Sequence, residues 1–279
     1  MPDKIIPEDP ARSDASAAEG ASPSGAGPID PLAMARRDLQ KALPKRFYAE
    51  ATASPQDGAF ALLLDGRPAK TPARNRLALP TLAAAQELAA EWSRQGELID
   101  PGAMPFTRIV NSAIDGVARE IGATAEEIAK YADSDLVCYR AGAPEALAQA
   151  QAAAWDPILA FAREKIGARL ICAEGVMFLE QPEPARRAVR DALKQIAESG
   201  PAAPFALAAL HVMTTLTGSA LIALAVARGE ITPAEAWAAA HVDEDFQMRL
   251  WGADEEAMAR RARRWIEMEA AAKLFRLVA

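Results

Sequence analysis

His241 and Glu244 stand three residues apart in the stretch WAAAHVDEDFQMRLWG, Trp237 to Gly252. On a helix that spacing makes them neighbours, and a histidine beside a carboxylate can move protons. At about 100° per residue, Trp237, His241, Glu244, Met248 and Trp251 fall on one face. Val242, Phe246 and Leu250 fall on roughly the opposite face, with Ala239 beside them. Only Asp245 and Arg249 share a clearly polar wedge. A helix apolar on two faces is expected to be mostly buried. Glu244 then lies within an aromatic face, where a carboxylate is costly unless paired or hydrogen-bonded. It could serve acid–base chemistry with His241, as in a hydrolase. It could hold a domain or loop through buried hydrogen bonds. It could instead lie in an apolar groove, with Asp243 and Gln247 beside it, and pair with a partner's donor. Residue patterning does not separate the last two. For His241 a structural role is favoured over catalysis.

Other chemistries find little support. A metal site would need a third ligand beside His241 and Glu244, and the HExxH pattern is missing. No GxSxG elbow is present. Gly218-Ser219 falls inside an uncharged helical run, where small residues allow close helix packing. DGRPAKTP (Asp65 to Pro72) lacks the glycine before Lys70 that a phosphate loop needs. RRARR (Arg260 to Arg264) has Glu256 and Glu267 at helical spacing, which reads as a salt-bridged, solvated face.

The chain of 279 residues carries a formal net charge of −7, which argues against a general binder of nucleic acid or anionic membrane. Its two cysteines, Cys138 and Cys172, lie far apart without a CxxC, so a reducing compartment is expected and a disulfide framework is not. Residues 1–31 set Lys4 and Arg12 against Asp3, Glu8, Asp9, Asp14, Glu19 and Asp30, with no apolar h-region. That suits neither a signal peptide nor an acid-poor transit peptide. A bacterial cytoplasmic protein is expected, with the mitochondrial matrix as the alternative. Ser199 to Ala227 lacks Asp, Glu, Lys and Arg, but its prolines, threonines and His211 favour a buried core helix over a membrane span.

Local signals give an α+β order. Residues 1–42 form a tail whose first 31 residues read as disordered, followed by a short helix from Pro31 to about Lys41. Residues 43–104 form a small antiparallel β-rich domain with a helix. Its strands are Arg46 to Ala53, Ala59 to Leu64, the edge segment Arg67 to Pro72, and Arg76 to Pro80. A turn covers Pro55 to Gly58, and Asp65-Gly66 marks a tight hairpin. Thr81 caps a helix that ends near Gln95, with Gly96 in left-handed conformation. Residues 105–279 form a larger all-α domain. Its helices run from Thr107 to Ile121, from a capping box at Thr124, and from Pro144 to Gly167 with a kink at Pro157. Arg169 to Leu179 is apolar and extended. Helices follow at Pro184 to Ser199 and Pro204 to Ala227. Thr232-Pro233-Ala-Glu235 starts the helix that carries Glu244, and the last helix runs from Asp254 to Leu277.

Six segments in order carry a resemblance. They are KRFYAEA (Lys45 to Ala51), LDGRPAKTPARNRLALP (Leu64 to Pro80), EWSRQGELIDPGAMPFTRIVNSAID (Glu91 to Asp115), EIAKYADSDLVCYRA (Glu127 to Ala141), WDPIL (Trp155 to Leu159) and DEDFQMRLWG (Asp243 to Gly252). Together they resemble the F1 ATP synthase assembly chaperones that handle the α subunit. The resemblance implies a binding protein, not an enzyme. It would shield the free α subunit of F1 until that subunit joins β, without cofactor or metal. A monomer is expected when the chain is free. The family's functional acidic residue falls in the last segment. The motif admits Asp243 or Glu244 and the helical wheel prefers Glu244. The partner-binding set implied is then Glu244, Asp243, Gln247 and Trp251, with His241 and Trp237 on the same face.

Overall fold

Two short turns shape the sheet. Asp57-Gly58 and Asp65-Gly66 hold all four residues at positive φ, between 48° and 78°. That geometry suits two-residue hairpins whose twist matches the flanking strands. The computed structural model of the chain describes residues 43–279. The tail and the short helix expected in it lie outside the described residues. Strand β1 (Ala51–Gln56) pairs antiparallel with β2 (Ala59–Leu64), in register from Ala51↔Leu64 to Gln56↔Ala59. The other edge of β2 takes β3 (Arg67–Pro68) and β4 (Ala78–Leu79). Pro68 thus sits at a sheet edge, where its missing N–H costs nothing.

The first strand starts five residues later than its pattern predicts. Arg46 N–H donates to the Glu97 carbonyl, and the Arg46 guanidinium donates to the carbonyls of Tyr48, Ala49 and Gln95. The Asp65 carboxylate accepts from the Ala49 and Glu50 N–H groups. These bonds draw residues 46–50 away from the ladder.

Helix α1 (Leu82–Ser93) covers the sheet, with Ala84, Ala85 and Leu88 buried against Leu62, Leu77 and Leu79. Thr81 caps it as expected, but Arg94 ends it in right-handed conformation and Gly96 keeps a negative φ. Beyond it lie α2 (Pro105–Asp115), α3 (Ile121–Tyr131), α4 (Glu145–Phe161), α5 (Glu183–Ala197), α6 (Ala203–Thr217) and α7 (Ala220–Ala227). The chain closes with α8 (Pro233–Ala240), α9 (Val242–Trp251) and α10 (Glu255–Val278). A two-stranded parallel pair, β5 (Tyr139–Arg140) and β6 (Ala173–Glu174), stands apart from the main sheet. The architecture is α+β, as the sequence implied.

Several helix boundaries differ from their sequence signals. The stretch 107–121 breaks at Gly116, and a 3-10 turn at Val117–Arg119 leads into α3. Thr124 therefore lies inside α3 rather than capping it. Pro157 does not stop α4, which continues into a π-helical turn at Ala162–Ile166 and ends at the left-handed Gly167. The uncharged run is two helices. Gly218 turns left-handed at φ 70°, and Ser219 caps α7 by accepting from Ile222 N–H at 3.0 Å. Both are lined by buried residues, and among the described residues no helix is long and apolar enough to cross a membrane. Helix α6 is the centre of the bundle, packed against α2, α3, α7 and α10.

Candidate functional site

The Thr232 capping box forms as its residues predict. Thr232 Oγ1 accepts from Glu235 N–H at 3.2 Å, and the Glu235 carboxylate accepts from Thr232 N–H at 2.7 Å. The helix it starts is shorter than expected. It ends at His241, whose backbone (φ −118°, ψ 19°) leaves the helical region and opens α9 in a new direction. Trp237 to Gly252 is thus two helices, and a single wheel drawn through it misplaces the second half.

The break is stabilised by the histidine itself. His241 is buried, and its Nδ1 lies 2.7 Å from the Trp237 carbonyl. A carbonyl only accepts, so Nδ1 carries the proton. The ring stacks on Trp237 at 4.1 Å, and Trp237 packs on Trp265 of α10 at 5.7 Å. Burial lowers the His241 pKa, and Arg261 and Arg264 lower it further against the opposing pull of the Trp237 carbonyl and Glu244. The ring is held neutral. Trp237 and His241 are therefore buried beneath the surface.

The three acids of α9 take three different positions. Asp243 accepts from Gln151 Nε2 at 2.7 Å, and the buried Gln151 accepts from Ala141 N–H at 2.7 Å. Beside it Trp155 Nε1–H donates to the Ala239 carbonyl at 2.7 Å. These bonds tie α4 to the α8–α9 break. Asp245 pairs with Arg261 through both guanidinium nitrogens, tying α9 to α10. Glu244 is exposed and makes no ion pair among the described residues. The expectation that α9 is mostly buried is corrected, since none of its residues is buried. The helix touches the body through its Asp243 side and α10 through its Asp245 side, and the Glu244 side faces outward.

An open groove of about 440 Å³ runs between α9 and α10, lined by Glu244, Gln247, Met248 and Trp251 on one side and Arg260, Arg261 and Arg264 on the other. Each arginine already has an acceptor: Glu256 for Arg260, Asp245 for Arg261 and the Leu216 carbonyl for Arg264. Trp251 is 78% exposed, and Leu250 and Met258 are more than half or half exposed beside the same turn. The structure thus brings Glu244, Gln247 and Trp251 to one groove, with His241 at its floor. Asp243 and Trp237 face the interior. Among the described residues no group of three His, Cys, Asp or Glu side chains could hold a metal ion.

A second apolar surface carries no mark beyond its composition. Val176, Met177 and Phe178 are 96%, 78% and 70% exposed at the apex of a loop. Gln181 closes its base, donating to and accepting from the backbone of Ile171 at 2.9 Å. The sequence showed an apolar run here, but only the clamp reveals that the run points outward.

The fold as a whole resembles known proteins. A crystal structure of the Atu1473 protein of Agrobacterium tumefaciens matches 90% of this chain and 92% of its own, at 48% identity and a TM-score of 0.82. Atp12 of Paracoccus denitrificans matches 84% of this chain and 98% of its own, at 41% identity and a TM-score of 0.77. The family model described as ATP12 chaperone protein matches residues 45–163. The chain belongs to the ATP12 chaperone family. This is the ATP synthase assembly family that the six sequence segments resembled. An aspartate-to-lysine variant of the Paracoccus protein also matches, at 40% identity and a TM-score of 0.77 over 84% of this chain and 98% of its own. The ATP12 family model stops at residue 163, so the α9–α10 groove lies outside it.

Proposed function

We propose that this ATP12-family chaperone holds the unassembled α subunit of F1 ATP synthase through the α9–α10 hairpin, as a monomer in the bacterial cytoplasm, and catalyses no reaction. The observation that carries the reading is Glu244, an exposed carboxylate without an ion-pair partner among the described residues, set beside exposed Leu250, Trp251 and Met258. Exposed apolar side chains clustered around one polar group suit a protein partner. The free α subunit would offer apolar surface that later faces β. A contact that covers it should bury roughly 1,000 Å² or more in total. Glu244 would add specificity by accepting from a basic or amide donor of that surface. A hydrolase built on Glu244 and His241 is the alternative. The groove does unite the two, but its lining holds no hydroxyl or thiol nucleophile, and His241 Nδ1 is engaged by the Trp237 carbonyl.

Paired variants separate binding from folding. Glu244→Gln should leave the melting temperature within the shift of an ordinary surface substitution, about 0.5 kcal/mol, while co-purification with co-expressed α subunit falls at least tenfold. Asp243→Ala orphans Gln151 and should cost about 1–3 kcal/mol of stability. Undiminished α capture by Glu244→Gln would remove the groove from the interface. Failure of the wild-type chain to retain α at micromolar concentration would remove the proposal altogether.

A further inference from the structure

Cys138 and Cys172 lie far apart in sequence but meet in the fold. The parallel β5–β6 register pairs Tyr139 with Ala173 and Arg140 with Glu174. The residues just before each partner, Cys138 and Cys172, therefore stand opposite each other. Neighbouring strands are about 4.8 Å apart, within the roughly 4.4–6.8 Å Cα separation that a disulfide spans. The Cys172 thiol lies close enough to Cys138 to help raise its pKa, and both cysteines are free. Cys138 is fully buried and Cys172 is exposed.

We propose that Cys138 and Cys172 form a reversible oxidation site, a dithiol that a hydroperoxide converts to a disulfide. It goes beyond the α-subunit reading and does not depend on it. The exposed Cys172 reacts first. Its thiolate attacks the peroxide oxygen, the O–O bond breaks, an alcohol or water leaves, and Cys172 becomes a sulfenic acid. Cys138 sulfur then attacks the Cys172 sulfur. The S–O bond breaks, the hydroxyl leaves with the Cys138 proton as water, and the S–S bond forms. Two thiols are oxidised by two electrons and one peroxide is reduced. Burial pushes the Cys138 pKa above that of an ordinary thiol, which leaves the exposed Cys172 as the thiol that meets the peroxide first. In a reducing compartment such pairs are transient, which suits a sensor rather than a structural bridge.

The bond would change one particular element. Cys172 lies at the base of the loop whose apex is Val176, Met177 and Phe178. That base is already held by Gln181 on Ile171 and by Gly175 N–H on the Arg140 carbonyl at 2.9 Å. A disulfide replaces a soft contact with a covalent one there and should stiffen the loop.

The full-length protein treated with hydrogen peroxide, then alkylated and analysed by mass spectrometry, tests the site. The expected product is lighter by about 2 Da and yields a Cys138–Cys172 cross-linked peptide. Dithiothreitol should restore the starting mass. Amide exchange across residues 173–181 should slow at least threefold in the oxidised form. In Cys138→Ala, Cys172 should be trapped by dimedone as a sulfenic acid, whereas in Cys172→Ser the buried Cys138 should stay unlabelled at the same dose. Three results would overturn the proposal. They are oxidation at Met177 alone with a gain of roughly 16 Da, disulfide-linked dimers without the intramolecular peptide, and Cys138 still alkylatable after denaturation of the peroxide-treated chain.

Discussion

Asp135 has no access to solvent, yet it is among the best-connected acids in the molecule. It accepts from the N–H groups of Leu221 at 3.1 Å and Val137 at 3.3 Å, at the point where α7 begins. Burial raises its pKa from 3.8 to about 6, against the pull of its bonds to Ser219, Leu221, Val137 and Ala220. The folded protein thus binds this proton more tightly than the unfolded chain. The resulting stability is fully present below about pH 4 and is lost as pH rises through about 6, with a magnitude of about 3 kcal/mol. His241 works in the opposite direction. Its pKa is lowered, so protonation of the unfolded chain drains stability as pH falls below 6.5. Comparing wild type with Asp135→Asn cancels the histidine contribution. Urea midpoints measured from pH 4.5 to 7.5 should show the advantage of wild type over the variant shrinking by about 2 kcal/mol as pH rises. A gap that stays constant across that range would mean Asp135 does not titrate there.

At the scale of elements, two single-residue breaks set the architecture. Gly218 separates α6 from α7 at φ 70°, and an added Cβ would meet only Leu136 Cβ, at 4.0 Å. Space is therefore available, and Gly218→Ala should cost only the left-handed strain of an L-residue, about 1–2 kcal/mol. A thermal melt that fails to shift downward would show that the turn relaxes freely. The second break, at His241, was not legible. Nor was the first: the uncharged run reads as one continuous helix through Gly218, and a histidine that leaves the helix to bond its own i−4 carbonyl looks like any helical residue. Local signals fared well where the physics is local. The Thr232 capping box, the Asp65-Gly66 turn, the Thr81 cap and the start of α10 at Asp254 all stand where residue types placed them. What the sequence withheld depends on long-range neighbours: Gln151 beneath Asp243, Arg261 on Asp245, and Cys172 beside Cys138. Glu244 was chosen from a wheel that assumed one buried helix. The choice survives as a candidate for a different reason, because among the described residues it is the acid of α9 with neither an ion pair nor a side-chain hydrogen bond, whereas Asp243 is held by Gln151 and Asp245 by Arg261.

Across the whole molecule, the sheet and the helical bundle are joined by a second buried carboxylate. Glu91 of α1 accepts from the N–H groups of Phe106 at 2.9 Å and Thr107 at 2.7 Å, and from the Thr107 hydroxyl at 2.6 Å. It thereby caps the first turn of α2, whose own N-terminal residue Met104 offers no side-chain acceptor. The charge sits where the helix dipole favours it. Trp92 Nε1–H donates to the same Thr107 hydroxyl, and Thr81 Oγ1–H donates to the Leu277 carbonyl at the far end of the chain. Glu87 and Lys273 add an ion pair at 2.6 Å between α1 and α10. These ties differ greatly in strength. The lysine is partly exposed, so Lys273→Ala should cost no more than about 1 kcal/mol. Glu91→Ala strands two buried N–H donors and should cost about 2–5 kcal/mol. For a unit of this size that is a fall in melting temperature of about 4–15 °C. Because the sheet cannot bury its inner face without α1, nor α1 its carboxylate without α2, far-ultraviolet dichroism and tryptophan fluorescence should report one coincident transition in wild type. A wild-type melt in which the two probes separate, or a Glu91→Ala variant that melts within about 1 °C of it, would mean that the sheet and bundle are stable independently and that Glu91 does not bind them together.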